Sequence, residues 1–331
     1  MEIPLIPLYK GGLGELEFVL NLCGHVERTR TRYFLNNEVI MALVIDIIIG
    51  GLINGSTFAL LAIGFSLIFG VARIVNFAHT AFYMLAAYCI YIITQKMGLH
   101  PVWGMLAAIV LVTLLGMLSY KALINPIREH EGAVLIATIA LAMIFQEIMT
   151  LIFTGTFLSV PALIKGYFIL LGVKVFYQQL LTFCAALFIL AVLWVFLMRT
   201  NLGLAIRSTA QDREVANLMG INEARVAMMT MGLSVGLAGF TGAIVVPLTV
   251  LEPQMWGAPL VMMMAVVVLG GLGSLKGSFI AAYILGFAEA LVVFLAPMGA
   301  YLKGSVALSI MILVLLIRPE GLFGVYFEEE R

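Results

Sequence analysis

Three acidic side chains, Asp46, Glu147 and Glu289, lie inside otherwise apolar stretches of this chain. A carboxylate in the middle of a bilayer is costly, so each is a candidate for binding a substrate, an ion or a proton. Asp46 is near the end of its stretch and can reach water. A proton-coupled carrier would pair Glu147 or Glu289 with a basic group, and neither has such a partner nearby in the sequence. Both are therefore predicted on the substrate pathway, with a structural bond to a neighbouring helix as the alternative.

A second polar group is the run Asn76–His79, which follows Arg73. Asn is a favoured helix N-cap, and free amides at 77–80 would then form a small anion site, like the discontinuous helices that hold substrate carboxylates in transporters. Asn76 and His79 are accordingly predicted on the substrate pathway. The alternative is a plain helix cap near the membrane surface. A single histidine does not make a metal site.

A glycine run surrounds Lys276 and is the third candidate. Its members are Gly270, Gly271, Gly273, Ser274 and Gly277. The run resembles a phosphate-binding loop only superficially, because two glycines separated by four residues and followed by Lys and Ser or Thr are missing. ATP binding by that mechanism is thus not expected. The first three glycines remain candidates for the substrate pathway, and a tight turn between two closely packed helices is the alternative.

Several classes of protein are excluded by what the sequence lacks. No Ser/His/Asp, Cys/His or paired-carboxylate pattern indicates an enzyme, and neither a cofactor nor a metal is predicted. The cysteines Cys23, Cys89 and Cys184 are odd in number and have no zinc-site spacing. The net charge is zero and the 18 Lys and Arg residues are dispersed. A nucleic-acid partner is therefore not expected.

The composition indicates a membrane protein, because 63% of the 331 residues are hydrophobic and the mean hydropathy is +1.12. Apolar stretches are separated by short polar loops. They cover residues 41–69, 81–94, 102–120, 133–153, 178–198, 226–250, 259–269, 278–296 and 302–317. The predicted fold is an all-α polytopic membrane protein with about 8–10 transmembrane or half-membrane helices and a short cytoplasmic coupling helix. Its membrane domain spans 41–331, in the lipid bilayer of the cell membrane.

Two of these stretches are too short to cross a bilayer. Residues 81–94 and 259–269 would rise only about 21 and 16 Å as helices, whereas the hydrocarbon core is about 30 Å thick. Half-helices of this kind are tolerated where they line a cavity or are buried in protein. Both are therefore expected to border a substrate pathway.

The segment 199–225 is a polar island between two long apolar stretches, with four Arg, two Glu and one Asp. If it is cytoplasmic, the inside loops hold ten Lys or Arg and the outside loops four, as the positive-inside rule requires. Nine simple crossings would then leave the basic residues of 1–40 outside, so one of the two short stretches is expected to be a half-helix or re-entrant piece and not a simple crossing. Residues 1–40 are predicted to be a cytoplasmic tail or to precede a true start at Met41.

Within the island, Ser208 and Gln211 have the spacing of a capping box, which predicts a helix over 209–219. Gly220 would end this helix in the left-handed conformation, and Asn222 would cap the next one. A short amphipathic helix held in this way suits docking to a partner and transmission of force. A connector held only by its own caps is the alternative.

Four ordered blocks of sequence resemble membrane permeases of branched-chain amino acid ABC importers over about Ile45 to Gly324. The blocks are Gly51–Gly64 continuing through Asn76–His79 to Met84–Tyr88; Gly203–Arg207 with Ala216 and Met219–Asn222; Leu269–Ser274 with Gly277, Leu285, Gly286 and Glu289; and Arg318–Gly324. Thr80, Phe58 and Ala281 depart from the usual residues. These departures affect the local backbone and the substrate rather than the class of transporter.

The resemblance implies cytosolic ABC ATPase subunits, a second permease that is related or identical, and an extracytoplasmic solute-binding protein. It also assigns contacts with the ATPase to the island 199–225. The residues implied are Arg207, Asp212, Arg213, Glu214, Ala216, Gly220 and Asn222. ATP hydrolysis would then reside in the partner subunits. Import of urea or short amides by the same machinery, and an ion-coupled secondary transporter working alone, remain the alternatives.

Overall fold

The computed structural model describes residues 37–170, 173–296 and 299–323, with side chains from residue 40 onward. Most of the predicted tail at 1–40, and the end of the fourth block at Gly324, lie outside these residues. The described chain is mainly helical. Its helices are α1 Asn37–Ala72, α2 His79–Tyr91, α3 Pro101–Ser119, α4 Glu131–Phe153, α5 Tyr177–Arg199, α6 Asn201–Gln211, α7 Arg213–Leu218, α8 Glu223–Val245, α9 Gly257–Gly270, α10 Leu275–Leu295 and α11 Gly299–Ile317.

Seven of the described helices are long and apolar enough to cross a membrane, namely α1, α3, α4, α5, α8, α10 and α11. The helices α2 and α9 have only 13 and 14 residues and coincide with the two short stretches predicted from the sequence. The prediction of an all-α polytopic membrane protein is confirmed. Helix α1 begins at Asn37, four residues before Met41.

The centre of the bundle is formed by α1 and α8. In each of them 72% of the most apolar window is buried, compared with 17% in α4 and 6% in α11. The glycines of α1 and α10 allow these two helices to pack closely, since a Cβ added at Gly286 would meet the backbone of Gly55. The helices with little burial face outward, toward lipid or another subunit.

Contacts between loops define the two ends of the bundle. At one end Arg213 reaches the carbonyl oxygen of Val71 at the close of α1. At the other end Lys96 lies 4.9 Å from the ring centroid of Phe153 at the close of α4. The loops predicted to be cytoplasmic gather at the first end, together with the island. The N-terminus of α1 lies at the opposite end, which we call the outer end.

Both short helices start inside the bundle and not at one of these ends, so neither is a simple membrane-crossing helix, which agrees with the half-helices expected from the sequence. Helix α2 starts about two turns in from the end that contains Arg213. It begins level with Thr138 of α4, whose Oγ1 accepts a hydrogen bond from Phe77 N (3.3 Å). A further π-helical turn, Ile92–Lys96, carries it outward. Helix α9 starts where Trp256 Nε1 donates to Gln146 Oε1 (2.7 Å). Their non-helical extensions are tolerated at this depth because protein surrounds them.

A small antiparallel hairpin covers the outer end, formed by β1 Tyr167–Leu170 and β2 Val173–Phe176. The sequence predicts only a loop here, between the apolar stretches 133–153 and 178–198. Within the hairpin, Phe168 is paired with Val175 and Ile169 with Lys174. A two-stranded hairpin has little stability of its own, so its contacts with the bundle support it.

Candidate functional site

The island 199–225 contains two helices, α6 and α7, and not the single helix predicted over 209–219. Ser208 cannot be an N-cap because it lies inside α6, where its carbonyl oxygen accepts from Asp212 N (3.1 Å). The chain is extended at Asp212, with φ −150° and ψ 116°. Asp212 Oδ1 then accepts from Val215 N (3.0 Å), so Asp212 ends one helix and caps the next.

The other two predicted caps of the island are confirmed. Gly220 has φ +85°, a conformation that glycine adopts without strain, and it terminates α7. The closing turn is fixed by a hydrogen bond from Ile221 N to Ala216 O (3.0 Å). Asn222 Oδ1 then accepts from Arg225 N (3.0 Å) at the start of α8. Three residues, Met219 to Ile221, thus separate the end of α7 from the cap of a central membrane helix.

Arg213 connects three helices at this end of the bundle. Its Nε and Nη2 donate to the Val71 carbonyl oxygen at 2.9 and 2.8 Å, which satisfies a free carbonyl in the last turn of α1. Its Nη1 lies 3.5 Å from Glu223 Oε1, and Arg128 Nη1 lies 3.1 Å from the same oxygen. Partial burial lowers the pKa of Arg213, but its ordinary pKa is so high that it stays charged.

Helix α7 and the residue after it present an exposed apolar face at the same end of the bundle. Leu218 and Met219 are 86% and 79% exposed, and Val215 is more than half exposed. Ala216 is buried beneath them against the bundle. Exposed apolar side chains of this size on a polar loop are typical of a contact with another protein. The apolar face of α7 is therefore a candidate docking surface.

The remaining residues implied for ATPase contact are distributed around this surface. Asp212, Glu214, Gly220 and Asn222 are exposed next to the apolar face. Arg207 lies on α6, half-buried, and its Nε has no hydrogen-bond partner within the described part of the chain. The predicted coupling residues from Asp212 to Asn222 therefore form one surface, supported from behind by Ala216 and Arg213, whereas Arg207 lies on the preceding helix.

A cavity of about 680 Å³ opens in the outer half of the bundle between α1, α9, α10 and α11. Glu289 and Lys303 face it, and their Oε1 and Nζ atoms are 3.4 Å apart. Lys303 is thus a basic partner of Glu289, which has none close to it in the sequence. It is 14 residues away, beyond the turn between α10 and α11. A single lysine at the start of an apolar helix was the available signal.

Asn76 and His79 are fully buried and do not line this cavity. The amide of Ala78 donates to Asn76 Oδ1 (3.1 Å), and that of His79 donates to Asn76 O (3.2 Å). With Phe77 N bonded to Thr138, three of the amides predicted to bind an anion are satisfied within the protein. Three of the four predicted donors are therefore already used, two by Asn76 and one by Thr138, and they do not form the predicted anion site.

The predicted glycines form a structural joint at the end of the bundle that contains the island. Gly271 and Gly273 have φ of +95° and +81°, and Gly270 packs against the backbone of Gly277. The amide of Phe323 closes the joint by donating to Gly270 O (3.1 Å). These contacts match the tight turn between packed helices that the sequence offered as the alternative, and they lie away from the cavity.

The other two acidic residues also lie outside the cavity. Asp46 is half-buried near the outer end of α1. Glu147 is exposed on the outward face of α4, where Gln146 Nε2 donates to its Oε1 (3.4 Å). Of the three intramembrane acids, Glu289 alone combines burial with a cavity wall and a basic partner among the described residues.

Comparison with known proteins agrees with this architecture. The model of the family described as "Branched-chain amino acid transport system / permease component" matches residues 47–315. The chain is 31% identical to the high-affinity branched-chain amino acid transport system permease protein BraD of Pseudomonas aeruginosa over 293 residues, which cover 84% of this chain and 94% of BraD. It is 31% identical to LivH of Escherichia coli K12, covering 83% of this chain and 93% of LivH.

More distant similarities are also found. The probable permease LivH of Methanocaldococcus jannaschii is 27% identical and covers 83% of this chain and 91% of its own length. One solved structure, PsaBC from Streptococcus pneumoniae in complex with Fab, is 18% identical to this chain, with a TM-score of 0.43. The match covers 89% of this chain and 97% of the chain in that structure. On the family model and the 31% identical relatives, this multi-pass membrane protein belongs to the family of branched-chain amino acid transport system permease components.

Proposed function

We propose that this chain is the transmembrane permease subunit of an ATP-driven ABC importer that moves branched-chain amino acids across the cell membrane. The energy comes from separate cytosolic ATPase subunits. A second permease, identical or related, completes the pathway, and an extracytoplasmic solute-binding protein delivers the substrate. The family membership and the names of the similar permeases support this assignment.

The observation that carries the proposal is the attachment of the exposed face of α7 to the helices that line the cavity. Arg213 ties α7 to the end of α1 and the start of α8. Both of these helices contribute to the cavity wall, α1 through Asn54 and α8 through Val245. When the ATPase pair closes on ATP, a pull on α7 moves α1 and α8 together and changes access to the cavity.

The test replaces the apolar face by charge, with Leu218→Asp and Met219→Asp combined in the full importer. We expect loss of ATPase co-purification and of ATP-dependent leucine uptake, because two carboxylates cannot be desolvated in an apolar groove. Ile169→Asp in the outer hairpin is the matched control, since Ile169 is also an exposed apolar residue. Normal association and uptake in the folded double variant would overturn the coupling assignment.

An ion-coupled carrier working alone is the second candidate, because the Glu289–Lys303 pair faces the cavity and offers an ionisable site. It predicts that the purified chain in liposomes takes up leucine when an ion or proton gradient is applied. Uptake that requires added ATPase subunits and ATP eliminates this candidate. Parallel assays with labelled urea and a labelled short amide separate those substrates from amino acids.

A further inference from the structure

We propose that Glu289 and Lys303 bind the two charged groups of a zwitterionic amino acid in the outer half of the cavity. Glu289 receives the substrate ammonium group and Lys303 receives the substrate carboxylate. This inference rests on the proposed import function and assigns the site that recognises the substrate. It concerns the permease itself and not the solute-binding protein.

Both side chains have unused capacity for ionic contacts. Glu289 is only 5% exposed, its Oε1 lies 3.4 Å from Lys303 Nζ, and its Oε2 has no hydrogen-bond partner among the described residues. A carboxylate oxygen buried without a donor is rare and costly, so a ligand that supplies a donor is favoured. The Lys303 side chain is 50% exposed, and its ammonium has three donors, of which Glu289 uses one.

The Glu289–Lys303 pair has one negative and one positive charge, so it favours a ligand that also carries one of each, a zwitterion. A substrate with an ammonium and a carboxylate exchanges the internal ion pair for two intermolecular pairs and leaves no charge unmatched. A cation would leave Lys303 without a counter-ion, and an anion would leave Glu289 without one. The loss is larger for Glu289, which is 5% exposed, because a buried charge without its partner is strongly unfavourable, whereas the half-exposed Lys303 keeps contact with water. Urea or an amide offers no charge to either group.

The rest of the cavity suits an aliphatic side chain. Its wall includes Ile53, Phe58, Leu248, Val261 and Met262. These side chains would remove a branched hydrocarbon group from water. The volume of about 680 Å³ is within the usual range of small-molecule sites, about 300 to 1,000 Å³. A charged pair at one side of an apolar chamber matches the two ends of a branched-chain amino acid.

The site lies on the side from which an imported solute arrives. Lys303 is in the first turns of α11, and Glu289 is six residues from the end of α10, or about 9 Å. Both positions are at the outer end of the bundle. The docking face on α7 is at the opposite end, so substitutions at the two places test separate steps.

The experiment measures ligand-dependent thermal stabilisation of the full chain in lipid nanodiscs. Three isosteric probes are used: leucine, leucinamide as a cation without the carboxylate, and 4-methylpentanoate as an anion without the ammonium. Wild type is expected to respond to leucine and to neither analogue. Both Glu289→Gln and Lys303→Met are expected to weaken the leucine response by about tenfold or more, because each loses a charge-assisted contact.

The decisive result is a reciprocal change of preference. Glu289→Gln should gain a response to 4-methylpentanoate, since Lys303 is then free for an anion. Lys303→Met should gain a response to leucinamide, since Glu289 is then free for a cation. A purely structural ion pair would not give this exchange. Glu252→Gln and Lys174→Met make the same charge changes outside the cavity and should keep the wild-type order of ligands.

Three results would overturn the inference: no response of wild type to millimolar leucine, unchanged responses in both variants, or loss of leucine binding without any gain for the analogues. If Glu289→Gln does not fold, Lys303→Met provides the same test, because Lys303 is half-exposed. Uptake by the complete importer separates this site from the general function. If both variants take up leucine with ATP at the wild-type rate, the proposed site is wrong but the import function stands. If the wild-type importer shows no ATP-dependent leucine uptake, the proposed function itself is wrong.

Discussion

At the scale of single residues, Arg213 is the contact that joins the exposed helix α7 to the membrane bundle. Arg213→Ala removes two hydrogen bonds to the Val71 carbonyl oxygen and the ion pair with Glu223. We expect a loss of about 1–2 kcal/mol in stability, since the side chain is one-third exposed. ATP-dependent uptake should fall severalfold, whereas co-purification of the ATPase should persist, because the apolar face proposed to contact it is left intact.

Arg199→Ala is the matched control for Arg213→Ala, because Arg199 is an exposed arginine at the end of α5. It should leave both uptake and ATPase co-purification near the wild-type values. Uptake by Arg213→Ala at the wild-type rate would show that the bonds to α1 and α8 do not transmit the movement of α7.

Gly220 provides a second prediction at this scale. Its φ of +85° is costly for a side chain branched at Cβ, and no atom lies within 4 Å of an added Cβ. Gly220→Val should therefore lower stability by about 1–2 kcal/mol through backbone strain alone. Gly220→Asn should cost less, because asparagine tolerates this conformation. Thermal unfolding of both variants measures the difference, and equal melting temperatures would contradict the strain argument.

Residues whose role is local were predictable from the sequence. Gly220 and Asn222 act within one turn of their own position, so residue type and spacing indicated them. Lys303 and the Val71 carbonyl oxygen were not predictable as partners of Glu289 and Arg213. Those contacts depend on which helices become neighbours, and no pattern within one segment encodes this.

At the scale of elements, the packing of α1 against α10 depends on glycine. Gly286→Ala would place its Cβ 2.6 Å from Gly55 Cα, and backbone cannot move as a side chain does. We expect this single methyl group to cost about 1–3 kcal/mol through overpacking. Because α1 and α10 both border the cavity, leucine uptake should also decline. Thermal unfolding and uptake of the same preparation measure both effects.

The control for this prediction is Gly132→Ala, near the start of α4. An added Cβ at Gly132 meets no atom within 4 Å, so the change should be neutral or slightly stabilising. If Gly286→Ala is as stable as Gly132→Ala, the two helices are not in the close contact that the structure describes.

The helices themselves were largely predictable, because nine apolar stretches correspond to seven long helices and two short ones among the described residues. Hydrophobic length decides whether a segment crosses a bilayer, and it is visible in the sequence. The break between α6 and α7 was not predicted. There Ser208 and Asp212 are both good caps, and the tertiary contacts of Arg213 favour a cap at Asp212. The outer hairpin lacked a strong turn signal and depends on the bundle beneath it.

At the scale of the whole molecule, charge determines which end faces the cytoplasm. The end that contains the island also contains Arg73, Lys121, Arg128, Lys276 and Arg318, whereas the outer loops contain Lys96, Lys165, Lys174 and Lys303. The positive-inside rule therefore orients the island toward the cytoplasm, where an ATPase can reach it. The same orientation directs the Glu289–Lys303 pair to the outside, where the substrate arrives.

Labelling from the two sides of the membrane tests this orientation. In a chain expressed without ATPase subunits, and with its native cysteines, Cys23, Cys89 and Cys184, replaced by serine or alanine, Met219→Cys should react with a membrane-impermeant maleimide only in inside-out vesicles. Ile169→Cys should react only in right-side-out cells whose cell wall and any outer membrane have been removed, because the hairpin lies at the opposite end. The reverse pattern would place the α7 face outside the cell, where no ATPase could bind, and would invalidate the coupling mechanism together with the direction of transport.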